Sequence, residues 1–478
     1  MTDVTKRNTL KALSIGAASL GVVNLSACSN QLLMNSSNSD KDWDKEIAQI
    51  KKKIKAPSFP DQDFDITEYG GIGDGNTDCT QAFKLAIEAA SKAGGGRVVV
   101  PSGVFKTGAI HLDSNINLHI SKGATVSFYT DPERYKPYVF TRWEGLELIG
   151  YSPLIYAFRK KNIAITGQGT VMGNGSKEHW WPWKGKWKKT DWVVSDTVNQ
   201  KVTRDALMKM AEEHVPVEQR VFETNYLRPP FIQPYLCENV LIEGITVKDS
   251  PFWCVNPVLC TNVTVSKVHL DSYGPNSDGC NPESCNNVLI EHCIFDTGDD
   301  CIAIKSGRNA DGRRVDVPCQ NLIIENCQMK AGHGGVVIGS EISGGVRNVY
   351  AQNCEMSSPD LSRGIRIKTN SVRGGVLENL NYRDINIGQV KDAIVINFFY
   401  EEGDAGQFKP IVRDLNIKNL NCEQASRAFV IRGYDHTPIT GINFENLNFK
   451  NVAKDSQLEN IKDVQQKNIM VNGKSFTI

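Results

Sequence analysis

The chain has no excess of charge of either sign: Lys plus Arg number 54, Asp plus Glu number 54, and the formal net charge at pH 7 is zero. That balance excludes a strongly basic nucleic-acid binder and a self-repelling acidic disordered chain. Proline is scarce at 19 residues, and 40 glycines give only a mild turn-rich bias, which excludes collagen-like and low-complexity chains. After residue 28 no segment has the roughly 20 apolar residues of a membrane helix. The Gly94-Gly95-Gly96 run follows a helical pattern instead of opening one and lacks Gly-Lys-Ser/Thr, so it is not a phosphate-binding loop. What is left is globular composition, 40% hydrophobic and 23% charged over 478 residues, enough for one large or two medium cores. Because the whole-molecule field supplies little, any charged ligand must be met by a local patch.

The amino terminus has the order of an export signal: Lys6 and Arg7, then small and apolar residues from Ala12 to Leu25, then Ser26-Ala27-Cys28. It resembles a bacterial lipoprotein signal, which implies cleavage before Cys28 and lipidation of that cysteine. The run from Thr5 to Lys11 also resembles a degenerate twin-arginine signal, with Lys6 in place of the first arginine. The expected organisation is a signal over 1–28, a Ser/Asn-rich tether and a short helix over 29–60, and one domain over 61–478. That implies an exported protein, in the periplasm or at the outer membrane or cell surface, meeting a membrane only through a lipid at Cys28.

Thirteen cysteines in an exported chain would first suggest disulfides. A repeat argues otherwise. Asn239-Val240, Asn262-Val263, Asn287-Val288, Asn321-Leu322, Asn348-Val349, Asn379-Leu380 and Asp414-Leu415 recur at intervals of 23 to 35 residues, the range of solenoid units. The third residue after each is usually apolar (Ile242, Val265, Ile290, Ile324, Ala351, Tyr382, Ile417), as a half-buried strand requires. The sixth is Ile245, Val268, Cys293, Cys327, Cys354, Ile385 or Leu420. Cysteine there swaps with Ile, Val and Leu, so these three cysteines read as buried hydrophobes in one stacked column. Unequal intervals fit coils whose strands stay in register while their loops vary. The fold expected is all-β, a single-stranded right-handed parallel β-helix.

Such a stack needs a cover at its open end. Ala82, Phe83, Ala86, Ile87 and Ala90 lie at helical spacing between Asp78 and Ala93, with Asp78 or Thr80 to cap the start and the glycine run to stop it. This is the expected amino-terminal capping helix, preceded by a small helix near 42–54. A Trp/Lys-rich insertion at about 176–230 breaks the pattern. Five of the eight tryptophans stand between Trp180 and Trp192 among lysines, followed by an amphipathic stretch from Val202 to Glu213. Such a segment suits stacking on sugar rings and pairing with acidic groups, or packing its tryptophans on the flank of the stack.

Four short motifs fall in successive coils: Asn276-Ser277-Asp278, Gly298-Asp299-Asp300, Gly332-His333-Gly334-Gly335 and Arg363-Gly364-Ile365-Arg366-Ile367-Lys368. Stacking brings three aspartates, a histidine and two cations onto one wall. Two carboxyls held apart can protonate a glycosidic oxygen and activate water, while Arg and Lys bind a substrate carboxylate. Adjacent aspartates also raise the pKa of one member, as a general acid needs. On a regular strand Asp299 and Asp300 would face opposite ways, so a turn or bulge is expected at Gly298.

Together these motifs resemble glycoside hydrolase family 28, the polygalacturonases, from about Phe64 to the carboxyl end. The runs Ala303-Ile304-Lys305-Ser306-Gly307-Arg308 and Gly332 to Glu341 strengthen the likeness. The resemblance implies Asp299 as general acid, Asp278 and Asp300 as activators of water, and His333 as the residue tuning the acid. Arg366 and Lys368 would grip a galacturonate carboxylate, with Asn276 and Tyr400 as further substrate contacts and no metal or cofactor. Ser277 stands where Thr is commoner and Asn281 where many members have aspartate. The stretch Gly307 to Pro318, with Arg308, Arg313 and Arg314, is an added loop near the cleft.

The expected function is inverting hydrolysis of α-1,4-galacturonosyl linkages of pectin or oligogalacturonides, exo-acting because long insertions would block the cleft. Hydrolysis of rhamnogalacturonan-derived oligosaccharides is a weaker alternative, since such relatives tend to lack the full Arg, Lys and His set. A Ca²⁺-dependent pectate lyase would use the aspartates as ligands and give an unsaturated product. A noncatalytic glycan-binding β-helix would survive Asp299→Asn.

Overall fold

The computed structural model describes residues 36–187, 191–223 and 225–478. The signal-like segment 1–28, Cys28 included, lies outside the described residues, as does the tether up to residue 35. By compactness the chain divides after Glu46. In the first unit residues 36–46 are helical; the second, Ile47–Ile478, holds all the strands. The helix α1, Ser36–Lys53, starts within the Ser/Asn-rich run, earlier than the expected residue 42. Its last turns bury Ile47 and Ile50, and Lys51 Nζ pairs with Glu325 Oε1 at 2.5 Å.

The second unit is a parallel β-helix, its strands hydrogen-bonded coil to coil in one 26-stranded sheet system. The predicted columns are in register: Ile165, Ile242, Val265, Ile290, Ile324, Ala351, Tyr382 and Ile417 pair in succession. All are buried, each large member contributing about 1.5–3 kcal/mol by leaving water. In the second column Cys354 pairs with Ile385 and Ile385 with Leu420. Cys293, Cys327 and Cys354 are buried free thiols, as are all twelve described cysteines.

The recurring asparagines explain the corner of each coil. Asn115, Asn162, Asn239, Asn262, Asn287, Asn321, Asn348, Asn379 and Asp414 all sit at φ between 52° and 61°. Asn is among the few residues that visit this left-handed region readily. Most of these amides donate to the asparagine one coil before: Asn162 to Asn115 at 3.0 Å, Asn239 to Asn162 at 2.9 Å, Asn262 to Asn239 at 3.0 Å, Asn287 to Asn262 at 3.1 Å, Asn348 to Asn321 and Asn379 to Asn348 at 2.9 Å. The ladder slips by one residue at the coil that carries the added Gly307–Pro318 stretch, where Asn321 donates to Asn286 instead of Asn287. The repeat therefore begins at Asn115, well before Asn239.

The helix α2, Thr80–Lys92, buries Ala82, Phe83, Ala86, Ile87 and Ala90 over the amino-terminal coil. Asp78 Oδ1 accepts from the Thr80 amide at 3.0 Å, and the Gly95 amide donates to Ala90 O at 2.9 Å. The insertion supplies a 3-10 turn, Trp181–Lys184, and the helix α3, Lys201–Glu212. Trp180 is buried in the main core, and the Trp181 indole donates to Ser250 O at 2.9 Å. These two tryptophans pack on the flank, while Trp187 faces the cavity described next.

Candidate active site

The strand Ile294–Thr297 ends in a bend at Gly298 and Asp299, and a new strand begins at Ile302. Both aspartates thus lie off regular strand, as their adjacency demanded. Glycine is required at 298, because a Cβ there would stand 2.3 Å from Gly274 O. Coil stacking aligns the motifs. Cys280 bridges Ile302, Ile302 pairs with Val336, and Val336 with Ile365. The Gly279 amide donates to Asp300 O at 2.9 Å and the Cys301 amide to Gly334 O at 2.8 Å. On the strand Arg363–Lys368, Ile365 and Ile367 fill the core, so Arg366 and Lys368 alternate outward.

Asp278, Asp299, His333, Arg366, Lys368, Asn276 and Tyr400 line one cavity of about 230 Å³. Asp300 is fully buried beneath it. Lys368 Nζ stands 2.6 Å from Asp300 Oδ2, and Arg366 Nη1 3.3 Å from Oδ1. The Tyr400 ring lies 5.6 Å from the Arg366 guanidinium and 5.3 Å from Lys368 Nζ. Asn276 Oδ1 accepts from Arg228 Nη2 at 2.7 Å, which leaves its amide to donate. All eight expected site residues are thereby brought together.

The electrostatics depart from expectation. Asp299 lies 2.9 Å from His333 Nδ1. Burial would raise the Asp299 carboxyl, but the His333 charge and hydrogen bond, with Lys368 and Arg366, outweigh it and hold it well below the usual range. The reciprocal effect raises His333. The carboxyl held far above its ordinary value is Asp278, first by burial and then by the Asp299 and Asp300 charges, with Lys305 opposing from 3.6 Å. The raised carboxyl is thus Asp278, while Asp299, against the expectation from adjacency, is lowered by His333, Lys368 and Arg366.

Several further residues line the cavity to which sequence alone assigned no role in the reaction. Lys305, from the strand after the Asp-Asp bend, bonds Glu341 Oε2 at 2.9 Å and lies 4.5 Å over the Trp253 ring. Arg308 holds Glu144 Oε2 at 3.0 Å, and Arg204 of α3 holds the same oxygen at 2.9 Å. The insertion forms part of the wall through Lys184, Trp187 and Arg204. In the added stretch Asn309–Val315 is a helix, α4, and only Arg308 reaches the cavity. Arg313 lies over the Phe408 ring and Arg314 bonds Glu147, so neither serves a polyanion there. Asn281 is buried outside the cavity lining, and Ser277 Oγ donates to Ser272 O and Gly274 O, fixing the turn.

The profile described as "Glycosyl hydrolases family 28" matches residues 216–470. The chain is 44% identical to a hyperthermoactive exopolygalacturonase of Thermotoga maritima of known crystal structure, with a TM-score of 0.86 over 91% of this chain and 97% of that one. It is 27% identical over 469 residues to the exo-poly-alpha-D-galacturonosidase of Dickeya chrysanthemi, covering 86% of this chain and 74% of the relative. A probable polygalacturonase of Vitis vinifera is 28% identical over 406 residues, covering 81% of this chain and 74% of the relative.

Proposed function

The chain belongs to glycosyl hydrolases family 28, and on that footing we propose that it is an exo-acting polygalacturonase working by inversion. The observation that carries this reading is the cavity itself, where three carboxylates, a histidine paired to one of them and Arg366 with Lys368 converge. The cations suit a uronate carboxylate, and the carboxyls supply an acid and a base. Exo action is supported by the two relatives named for it, and by the wall that the insertion adds.

In the proposed reaction Asp299 protonates the glycosidic oxygen, and Asp278 with Asp300 directs water to the opposite face of the anomeric carbon. Because His333, Lys368 and Arg366 lower the Asp299 carboxyl, bound substrate must relieve that effect before Asp299 acts as the acid. Lys368 and Arg366 are among the charges that depress Asp299, and a galacturonate carboxylate bound to them offsets that depression. The His333 proton, 2.9 Å away, is then positioned to move onto Asp299. The raised Asp278 favours a second reading in which Asp278 is the acid and Asp299 the base.

Proton NMR during hydrolysis of polygalacturonate tests the reaction class. The β-anomer of a short product appears first and viscosity falls slowly relative to new reducing ends. An α-anomer, or an unsaturated product, would overturn it. An aryl galacturonide with a good leaving group separates the two assignments, since the acid variant, Asp299→Asn or Asp278→Asn, retains turnover where no protonation is needed and the base variant does not.

The reading extends to location. The order of residues 1–28 supports export with a lipid at Cys28, and mass spectrometry of the membrane fraction would show a modified amino-terminal peptide beginning there. An unmodified chain starting elsewhere would refute it.

A further inference from the structure

The cavity contains a cation that the reaction above leaves unused. Lys184 closes the 3-10 turn Trp181–Lys184 of the insertion and lines the cavity beside Trp187. The other lining Lys and Arg side chains are each held by a carboxylate: Lys305 by Glu341 at 2.9 Å, Arg308 and Arg204 by Glu144 at 3.0 and 2.9 Å, Lys368 and Arg366 by Asp300 at 2.6 and 3.3 Å. Among the described residues nothing holds Lys184 by hydrogen bond or ion pair. Its electrostatic neighbours are Glu144, Arg228, Arg204 and Asp299, and Glu144 already accepts from two arginines through one oxygen. Burial lowers the Lys184 pKa, as for a desolvated ammonium without a full counter-charge.

Arg228 repeats the pattern one layer deeper. It is fully buried and, among the described residues, bonded to neutral acceptors, Pro251 O, Pro275 O, Gln200 Oε1 and Asn276 Oδ1, and burial brings it down to about 9. Among the described residues, Lys184 and Arg228 are thus two neighbouring cations with no carboxylate bonded to them. The grouping is separate in its partners from Arg366 and Lys368, which share Asp300.

We propose that Lys184 binds the carboxylate of a second galacturonate unit, other than the one held by Arg366 and Lys368. This rests on the polygalacturonase reading and adds to it that the Trp/Lys-rich insertion is a specificity element for uronic acid. The best short substrates then carry two free carboxylates, one for each cationic grouping. An incoming carboxylate gives Lys184 the charge-assisted bond it lacks, and Trp187, whose ring stacks on Trp192 at 6.0 Å, walls the same space.

The test uses full-length protein, Lys184→Met and Lys184→Arg, with kinetics on trigalacturonate and calorimetric binding of digalacturonate in an Asp299→Asn background. Lys184→Met raises KM and the dissociation constant about 10- to 100-fold, the worth of one hydrogen bond to a charged group, with kcat changed less than threefold. Lys184→Arg recovers most of the affinity. The melting temperature of Lys184→Met stays level or rises, because an unpaired, half-buried charge is removed. If the Asp299→Asn protein binds digalacturonate and adding Lys184→Met changes affinity less than twofold, the inference fails while the polygalacturonase reading stands. If neither the wild type cleaves nor Asp299→Asn binds galacturonides, both fail.

Discussion

His333 and Asp299 are joined twice: the imidazole Nδ1 stands 2.9 Å from the carboxylate, and the His333 amide donates to the Asp299 carbonyl at 2.9 Å. The backbone bond fixes the separation at which the side chains share a proton.

That pairing sets a pH window. Asp299 is depressed and His333 raised, so the ion pair forms above the lowered Asp299 value and persists beyond the ordinary histidine value of about 6.5. The histidine's share of stability is full below about 6.5 and is lost as pH rises through its raised value. Activity that draws on the pair's proton has its basic limb in the same place. In His333→Gln the carboxyl loses its strongest depressing partner and alone holds the proton. The basic limb of the kcat/KM profile then moves acidward by at least about one unit, toward the ordinary carboxyl range. An unmoved limb would remove His333 from the acid.

Lys368→Met probes the buried pair. Asp300 has no exposed surface and depends on Lys368 at 2.6 Å, with Arg366 a longer partner. Breaking such a pair costs about 3–5 kcal/mol, lowered here toward about 2–4 by the remaining arginine. Urea unfolding shows this loss. The double variant Asp300→Asn with Lys368→Met recovers most of the stability and none of the activity; recovery of activity would show that neither residue is needed for turnover.

Chelation separates hydrolysis from calcium-dependent elimination. Asp300 and Asp299 direct their oxygens at Lys368, Arg366 and His333. Excess chelator is expected to leave the rate within twofold and the product without ultraviolet absorbance. Loss of activity restored by Ca²⁺ would reinstate the lyase.

Asn262→Ala tests the corner ladder. The change removes the bond to Asn239 at 3.0 Å and the one from Asn287 at 3.1 Å, and forces alanine to φ 58°. The expected loss is about 2–4 kcal/mol in chemical denaturation. Asn262→Gly relieves the backbone part and costs less; equal losses would mean that the amide bonds alone matter.

The stack was legible because one residue type marks every corner and apolar residues follow at constant offsets. Asn115-Ile116 and Asn162-Ile163 carry the same signal, but the insertion between Asn162 and Asn239 lengthens the interval and hides the period. The aspartates, His333, Arg366 and Lys368 were legible because stacking converts sequence order into proximity. Glu144 and Arg204 were not, since each reaches the cavity from a turn or a helix whose path no local pattern encodes. The raising of Asp278 and lowering of Asp299 were not legible either: the adjacency of Asp299 and Asp300 is visible in the chain, whereas the burial of Asp278 and the contact of His333 with Asp299 exist only once the coils stack.

The buried cysteines set a condition on survival in any oxidising medium. Twelve thiols are sealed within the coils, some in columns one strand apart. While the stack is closed, an oxidising medium cannot reach them. Once a coil opens, several sulfurs surface together and cross-link in pairings the native fold does not contain, and the way back is blocked. Durability then follows the rate of first opening and not the folding equilibrium, which places the guard duty on the ends of the stack, where α2 covers the first coil.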